Sequence, residues 1–192
     1  MSSPTDSQTN IQVTLVAVQS LDGCITRGEE AGVDFASKAD QEWFRKSLIE
    51  FDAIIMGRKT YEPIRKAVGQ AIEMGSTKIR IVMTGRSEDW QDDHHPGQLE
   101  FDSRPPEEIM IDLAGRGFRK VILLGGSTIN HLFLEAGLVD RIWLTLEPEI
   151  FGYGRRLVDG PVEAKFRLDG TEILGGSTVL LKYTRRKRTP RA

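Results

Sequence analysis

The order in which apolar runs fall along this chain constrains its fold more than any other feature. IQVTLVAV at residues 11–18, AIIM at 53–56, KIRIVMT at 78–84, KVILL at 120–124 and RIWLTLEPEI at 141–150 are short and rich in β-branched residues. Runs of that length, bounded by turn residues, predict buried strands. Helical patterns separate them. Ser37 can cap a helix over about 38–50, in which Trp43, Phe44, Leu48 and Phe51 recur at helical spacing. Further helices are expected from 59 or 60 to 67, from Pro105 or Pro106 onward, and from Gly125-Gly126-Ser127-Thr128 to Gly137. A brief strand falls at 98–101. The end of the chain changes character, because 164–173 and 178–184 alternate like antiparallel strands joined through Gly175-Gly176. Strands that alternate with helices and then finish alone predict an α/β fold. Its sheet should be mostly parallel, with helices on both faces and antiparallel C-terminal strands.

A chain of 192 residues suits one domain, expected over 11–184, with flexible termini at 1–10 and 185–192. Lys plus Arg number 26 against 28 for Asp plus Glu, so the balance gives no reason to expect nucleic acid or an anionic membrane as partner. The basic run Arg185-Arg186-Lys187-Arg188 with Arg191 reads either as a nucleic-acid arm or as a solvated end. Cys24 is the one cysteine, which excludes an intrachain disulfide and a cysteine-based zinc site. His94-His95 beside Asp92-Asp93 reads as a metal pair or a solvated loop, and no metal is expected. The polar start lacks the apolar core of a signal peptide, and no run approaches the roughly 20 apolar residues of a membrane span. A soluble cytoplasmic protein is therefore expected.

Three strand ends carry an anion-binding pattern. Met56–Glu62 reads MGRKTYE, where a strand stops at Gly57 and Arg58, Lys59 and Thr60 follow at a helix start. Free N–H groups, a favourable helix dipole, a hydroxyl and two cations suit a phosphate. LLGGST at 123–128 and MTGRS at 83–87 repeat the theme. Ligands of open α/β sheets sit outside the carboxyl ends of strands, so the three turns can share one ligand. Neither GxGxxG nor the Walker A pattern is present, which gives no support to a Rossmann or P-loop site.

IIMGRKTYE at 54–62 closely resembles the VIMGRxTWE segment of dihydrofolate reductases. The likeness continues through VTLVAVQSLDGCI, ADQEWFRK, IRIVMTGRS, LLGGSTI and IWLTLEPEIFGYG, in that family's order. SLDG, FLEAGLVDRIWL and EPEIFGYGRRL are also similar to the reductase domain of the bifunctional riboflavin-biosynthesis deaminase–reductase, a member of the same superfamily. The resemblance implies a dihydrofolate-reductase-like fold that binds NADPH. Gly57, Arg58, Lys59 and Thr60 would then meet the cofactor's phosphates, Thr84 and Arg86 the adenosine 2′-phosphate, and Val18 the nicotinamide. Gly125, Gly126, Ser127 and Thr128 would pass under the pyrophosphate.

On the substrate side the resemblance implies Asp40 as the buried carboxylate that organises proton delivery. Ser20, Asp22, Ser37, Phe44 and Thr145 would lie around the substrate. Two local readings stay open: Asp40 is also placed to stabilise a helix N-terminus, and Asp22 belongs to an ordinary Asp-Gly turn. The implied activity is hydride transfer to a small heterocyclic or imine-like compound, first a riboflavin-pathway 5-amino-6-(5-phosphoribosylamino)uracil type. A pterin reductase, or a nucleotide-binding protein without turnover, is the alternative. A phosphosugar substrate predicts a basic pocket near Lys38 or Arg45, and a pterin predicts an apolar slot at Phe44 and Trp43. Leu48 and Leu124 depart from the Arg and Glu common in the riboflavin-type reductases, and their deaminase motifs HxE and PCxxC do not occur. The family also implies a homodimer through the late strands.

Overall fold

The computed structural model describes residues 11–29 and 32–186. Eight strands form one sheet: β1 Gln12–Gln19, β2 Ala53–Gly57, β3 Ile79–Met83, β4 Leu99–Asp102, β5 Lys120–Leu123, β6 Arg141–Leu146, β7 Phe166–Gly175 and β8 Thr178–Arg185. Their order is β4-β3-β2-β5-β1-β6-β8-β7. The pairs from β4 across to β6 are parallel, while β8 runs antiparallel to both β6 and β7. Among the described residues five α-helices accompany the sheet: α1 Lys38–Ser47, α2 Arg58–Tyr61, α3 Arg65–Glu73, α4 Pro106–Gly115 and α5 Ser127–Glu135.

Alternation along the central strands sends side chains into two cores. Val13, Leu15, Ala53, Ile55, Ile79, Ile81, Val121 and Leu123 point to the face covered by α4 and α5, which contribute Ile109, Leu113 and Phe133. Val16, Ile54, Met56, Val82, Ile122 and Trp143 point to the opposite face, under Trp43 and Phe44 of α1 and Val68 and Ile72 of α3. β2 and β3 are buried along their whole length, as continuous apolar runs between two helical layers require. Each fully buried aliphatic side chain here stabilises the fold by about 1.5–3 kcal/mol.

Boundaries differ from expectation in places with a local cause. The helix expected from 59 to 67 is interrupted at Glu62–Ile64, where Pro63 brings a tighter 3-10 turn, and α3 then runs on to Glu73. Val68 and Ile72 extend its apolar stripe. β6 ends at Leu146 rather than at 150, because Pro148 has no N–H for the ladder. β8 extends through Arg185, and the Arg186 amide donates to Lys165 O at 2.8 Å, so the ordered chain passes the expected end at 184. Of the termini expected to be flexible, 1–10 and 185–192, residues 1–10 and 187–192 lie outside the described residues. No helix among the described residues is long and apolar enough to cross a membrane.

Candidate functional site

The parallel strands all end at the same edge of the sheet. From β1 the chain crosses to β2 and moves outward to β3 and β4. It returns at β5, between β2 and β1, and leaves on the other side through β6. That reversal falls at the carboxyl ends of β5 and β1, where by the general rule for open α/β sheets the ligand crevice lies.

One wall of the crevice is made of glycine. The Gly57 amide donates to Gly125 O at 2.6 Å, tying the ends of β2 and β5 together. The Gly125-Gly126 peptide is cis, and Gly125 has φ +79°, a conformation that favours glycine. A Cβ on Gly57 would stand 2.8 Å from Ile129 Cγ1, and one on Gly125 would stand 3.2 Å from the Asn130 side chain. Gly126 opens α5 without a side-chain cap, so the first amides of that helix take no side-chain partner from it. Asn130, buried behind the turn, donates to Leu157 O at 2.8 Å and leaves Oδ1 without a partner. Ser127 is buried at the helix start, and Thr128 donates to Asp159 at 3.2 Å.

The cations expected at the phosphates follow the carboxyl ends of β2 and β3. Arg58 pairs with Glu62 at 2.6 Å, and Arg86 pairs with Asp89 at 3.3 Å. Thr84 Oγ1 accepts from the Arg86 amide at 3.3 Å. The Lys59 charge reaches Glu29, which its neighbour Tyr153 holds below the usual carboxylate range, with help from Arg155.

The opposite wall is acidic and buried. Val18 of β1 stands in register with Thr145 of β6. Asp40, in the first turn of α1, is buried, and burial raises its pKa above the ordinary carboxyl value. The Thr145 hydroxyl lies beside it and offsets part of that rise, whereas the charge of Glu147 adds to it. The Thr145–Asp40 contact falls outside strict hydrogen-bond geometry, so Thr145 Oγ1 is a buried polar atom without a full partner. Capping falls to Ser37, whose side chain accepts from the Asp40 amide at 3.2 Å. The Asp40 side chain is therefore free of the N-cap role. Ser37 is further engaged: its amide donates to Glu147 at 2.9 Å and its hydroxyl meets Thr178 Oγ1 at 2.9 Å.

Ser20 and Asp22 form a clasp. The Ser20 hydroxyl donates to Asp22 at 2.5 Å, and the amides of Phe151 and Gly152 reach the same carboxylate at 3.2 and 2.8 Å. The Ser20 hydroxyl and then those amides, working against desolvation, hold Asp22 down to about 2. Residues 20–28 thereby join residues 149–156, through bridges Cys24–Arg156 and Gly28–Gly154. Val18, Phe35, Ala36 and Phe151 pack beneath this joined pair, with Phe35 edge-on to Phe151 at 4.9 Å. Phe44 and Trp43 are half-buried against the core, Trp43 edge-on to Trp143 at 6.0 Å, while Lys38 and Arg45 are exposed. Leu48 and Leu124 pack against the same core and offer no polar contact.

Sequence reasoning passed over Glu147, Thr178 and Asn130. Strand period is the signal that finds Glu147, since Trp143, Thr145 and Glu147 share one face of β6 and its extension. Among the described residues no group of three or more His, Cys, Asp or Glu is arranged to hold a metal.

Over 54 residues the chain is 41% identical to a 2,5-diamino-6-ribosylamino-4(3H)-pyrimidinone 5′-phosphate reductase of Methanothermobacter thermautotrophicus, a match covering 27% of this chain and 25% of that relative. Among solved structures, a pyrimidine reductase-like protein from Corynebacterium diphtheriae superposes with a TM-score of 0.69 at 16% identity, covering 93% of each chain. RibD of Acinetobacter baumannii gives a TM-score of 0.72 at 18% identity, covering 94% of this chain and 60% of that one. Dihydrofolate reductase of Enterococcus faecalis, solved with NADP(H), gives 0.63 at 18% identity over 92% of this chain and 97% of that one, which places the fold among the dihydrofolate-reductase-like folds. The family model of the RibD C-terminal domain matches residues 12–180, and the chain belongs to that family.

Proposed function

We infer that the chain is an NADPH-dependent reductase acting on a phosphoribosylated aminopyrimidine of the riboflavin pathway. Family membership and the name of the Methanothermobacter relative support the substrate class. The observation that carries the reading is the pairing, at one sheet edge, of a glycine-lined wall with a buried carboxyl on the opposite wall. The first wall fits a dinucleotide: Gly57 and Gly125 have no side chain where a Cβ would crowd Ile129 and Asn130, and α5 starts uncapped. When bound, NADPH supplies a hydride equivalent to the substrate.

Gly125, Gly126, Ser127 and Thr128 carry the pyrophosphate on backbone amides, and Gly57, Lys59 and Thr60 hold the adjoining phosphate. Arg58, Thr84 and Arg86 take the 2′-phosphate. The Arg58–Glu62 and Arg86–Asp89 pairs are exposed and each worth about 0–1 kcal/mol, so a doubly charged phosphate displaces them readily. Val18 lines the nicotinamide side. Asp40 holds a proton for the heteroatom of the acceptor bond, oriented by Thr145, while Ser20 and Asp22 fix the joined segments over the crevice.

Titration of the protein with NADPH and NADH tests the cofactor side. NADPH should bind at least about tenfold more tightly, equivalent to about 1.4 kcal/mol, and Arg86→Ala should erase most of that preference. Equal affinities would overturn the assignment. NADPH oxidation should follow addition of the phosphoribosylaminopyrimidine and not of a dihydropterin. The reverse selectivity would establish the pterin reading, and binding without turnover on either compound would leave a nucleotide-binding protein.

A further inference from the structure

We propose that Glu147 is a positioning residue for Asp40, a second buried carboxylate that ties down the helix start carrying Asp40 and sets a negative charge in the same buried site. This rests on Asp40 being the proton donor. Glu147 is 2% exposed, although it follows the end of β6 and precedes a proline. Its two oxygens are both used: Oε1 accepts from the Ser37 amide at 2.9 Å, and Oε2 accepts from Thr178 Oγ1 at 2.9 Å. Thr178 in turn meets the Ser37 hydroxyl, which caps the helix that carries Asp40. One carboxylate thus binds the start of α1, the end of β6 and the start of β8 at a single point.

No cation pairs with Glu147 among the described residues. A buried acid with neutral donors and no cation places its field on whatever lies next to it, and here that neighbour is a second acid. From β6, Asp40 faces the Thr145 hydroxyl and, just beyond the strand, Glu147. From the start of its own helix it faces Ser37, and Gly175 of β7 packs against Ala39. Burial is the first cause of the raised Asp40 pKa, and the charge of Glu147 adds to it, since like charges in one buried site disfavour double ionisation. The proton leaves the Asp40 carboxyl for the nitrogen or oxygen of the acceptor bond, and the carboxylate regains a proton from solvent.

Glu147→Gln tests the arrangement with little structural loss. The carboxamide oxygen still accepts from the Ser37 amide, and its NH2 donates to Thr178 Oγ1, whose own proton turns to Ser37. Two readouts are needed. The first is the infrared band of a protonated carboxyl, assigned to Asp40 by its disappearance in Asp40→Asn and followed against pH without substrate. In Glu147→Gln this band should be lost at lower pH than in the parent protein. The second is the pH profile of kcat/KM, whose alkaline descent should move to lower pH, reducing turnover by roughly tenfold at fixed pH on that limb. The melting temperature should hold.

A stable Glu147→Gln protein with an unmoved Asp40 band overturns the proposal, whatever the activity shows. A moved band with an unmoved rate profile shows that Glu147 tunes Asp40 and that the proton-donor reading is what fails. If Glu147→Gln unfolds, Thr178→Val, which removes one partner of Glu147 and keeps its charge, should leave the Asp40 band in place. A displaced band in that variant also overturns the proposal.

Discussion

A methyl group at Gly154 should open the segments that cover the crevice while leaving both cores intact. A Cβ there would stand 2.0 Å from the carbonyl oxygen of Thr26 and 3.1 Å from Cys24 Cβ, and approaches under 3.0 Å are essentially never seen. The obstacle is backbone, so residues 20–28 and 149–156 must part by about 1 Å. Of the hydrogen bonds that cross between them, three flank Gly154: Ile25 N to Arg155 O at 2.7 Å, Gly28 N to Tyr153 O at 3.1 Å and Arg155 N to Thr26 Oγ1 at 2.9 Å. Lengthened by that amount, all three leave the hydrogen-bond range. At about 0.5–1.5 kcal/mol each, their loss costs at most roughly 1.5–4.5 kcal/mol. Water reaches the exposed members, which keeps the cost near the lower end. A fall in Tm of about 3–8 °C is expected for a chain of this size. Hydrogen exchange should quicken at Ile25, Gly28 and Arg155 and stay slow at Leu15, Ile81 and Val121, which lie in the first core. A Gly154→Ala protein with unchanged Tm and unchanged protection at Ile25 and Gly28 would refute the packing of these segments.

Other perturbations separate the two walls of the crevice. Asp40→Asn should lower turnover by roughly 10²-fold or more while NADPH affinity holds, since Ser37 supplies the helix cap. Because burial raises the folded-state pKa of Asp40, its contribution to stability is present at low pH and is lost as pH rises through that value. The Asn variant should lack this loss in melting experiments across pH. Asp22 has the opposite sign: its pKa falls from 3.8 to about 2, so its contribution is present above about 4 and is lost as pH drops towards 2. Asp22→Asn should flatten the melting curve in that window, and an unaltered acid limb would refute the clasp. Gly57→Ala meets Ile129 Cγ1 at 2.8 Å and should cost about 1–3 kcal/mol. In a double-mutant cycle Ile129→Ala should recover part of that cost, and strict additivity would count against the contact.

The fold was legible because its strands are continuous apolar runs bracketed by turn residues. AIIM and KIRIVMT are buried on both faces, so their identity needs no tertiary information. The paired glycines were legible for a similar reason, since a glycine-rich turn between a strand and a helix is local chemistry. Where the residues left a choice open, the missing information was non-local. Phe44 belongs to an apolar helix stripe whether it meets a substrate or a core, and only the neighbouring Trp43–Trp143 contact shows how closely the core lies beneath it. Glu147 before Pro148 looks like a charged strand end. Its burial follows from Ser37 and Thr178, which lie far away in sequence.

That separation has a kinetic consequence. The amide of Ser37 reaches Glu147 across 110 residues, and its hydroxyl reaches Thr178 across 141. The glycine turns at Gly57 and Gly125-Gly126 end β2 and follow β5, both of which precede β6, although Asn130 behind them reaches forward to Leu157 across only 27 residues. The acidic wall cannot form until the C-terminal hairpin has docked and closed the longest loop in the domain, and contacts of high sequence separation form slowly. During synthesis or refolding, the glycine turns therefore close over shorter separations than the buried carboxyls of the opposite wall. The buried setting of Asp40 is complete only with the last two strands.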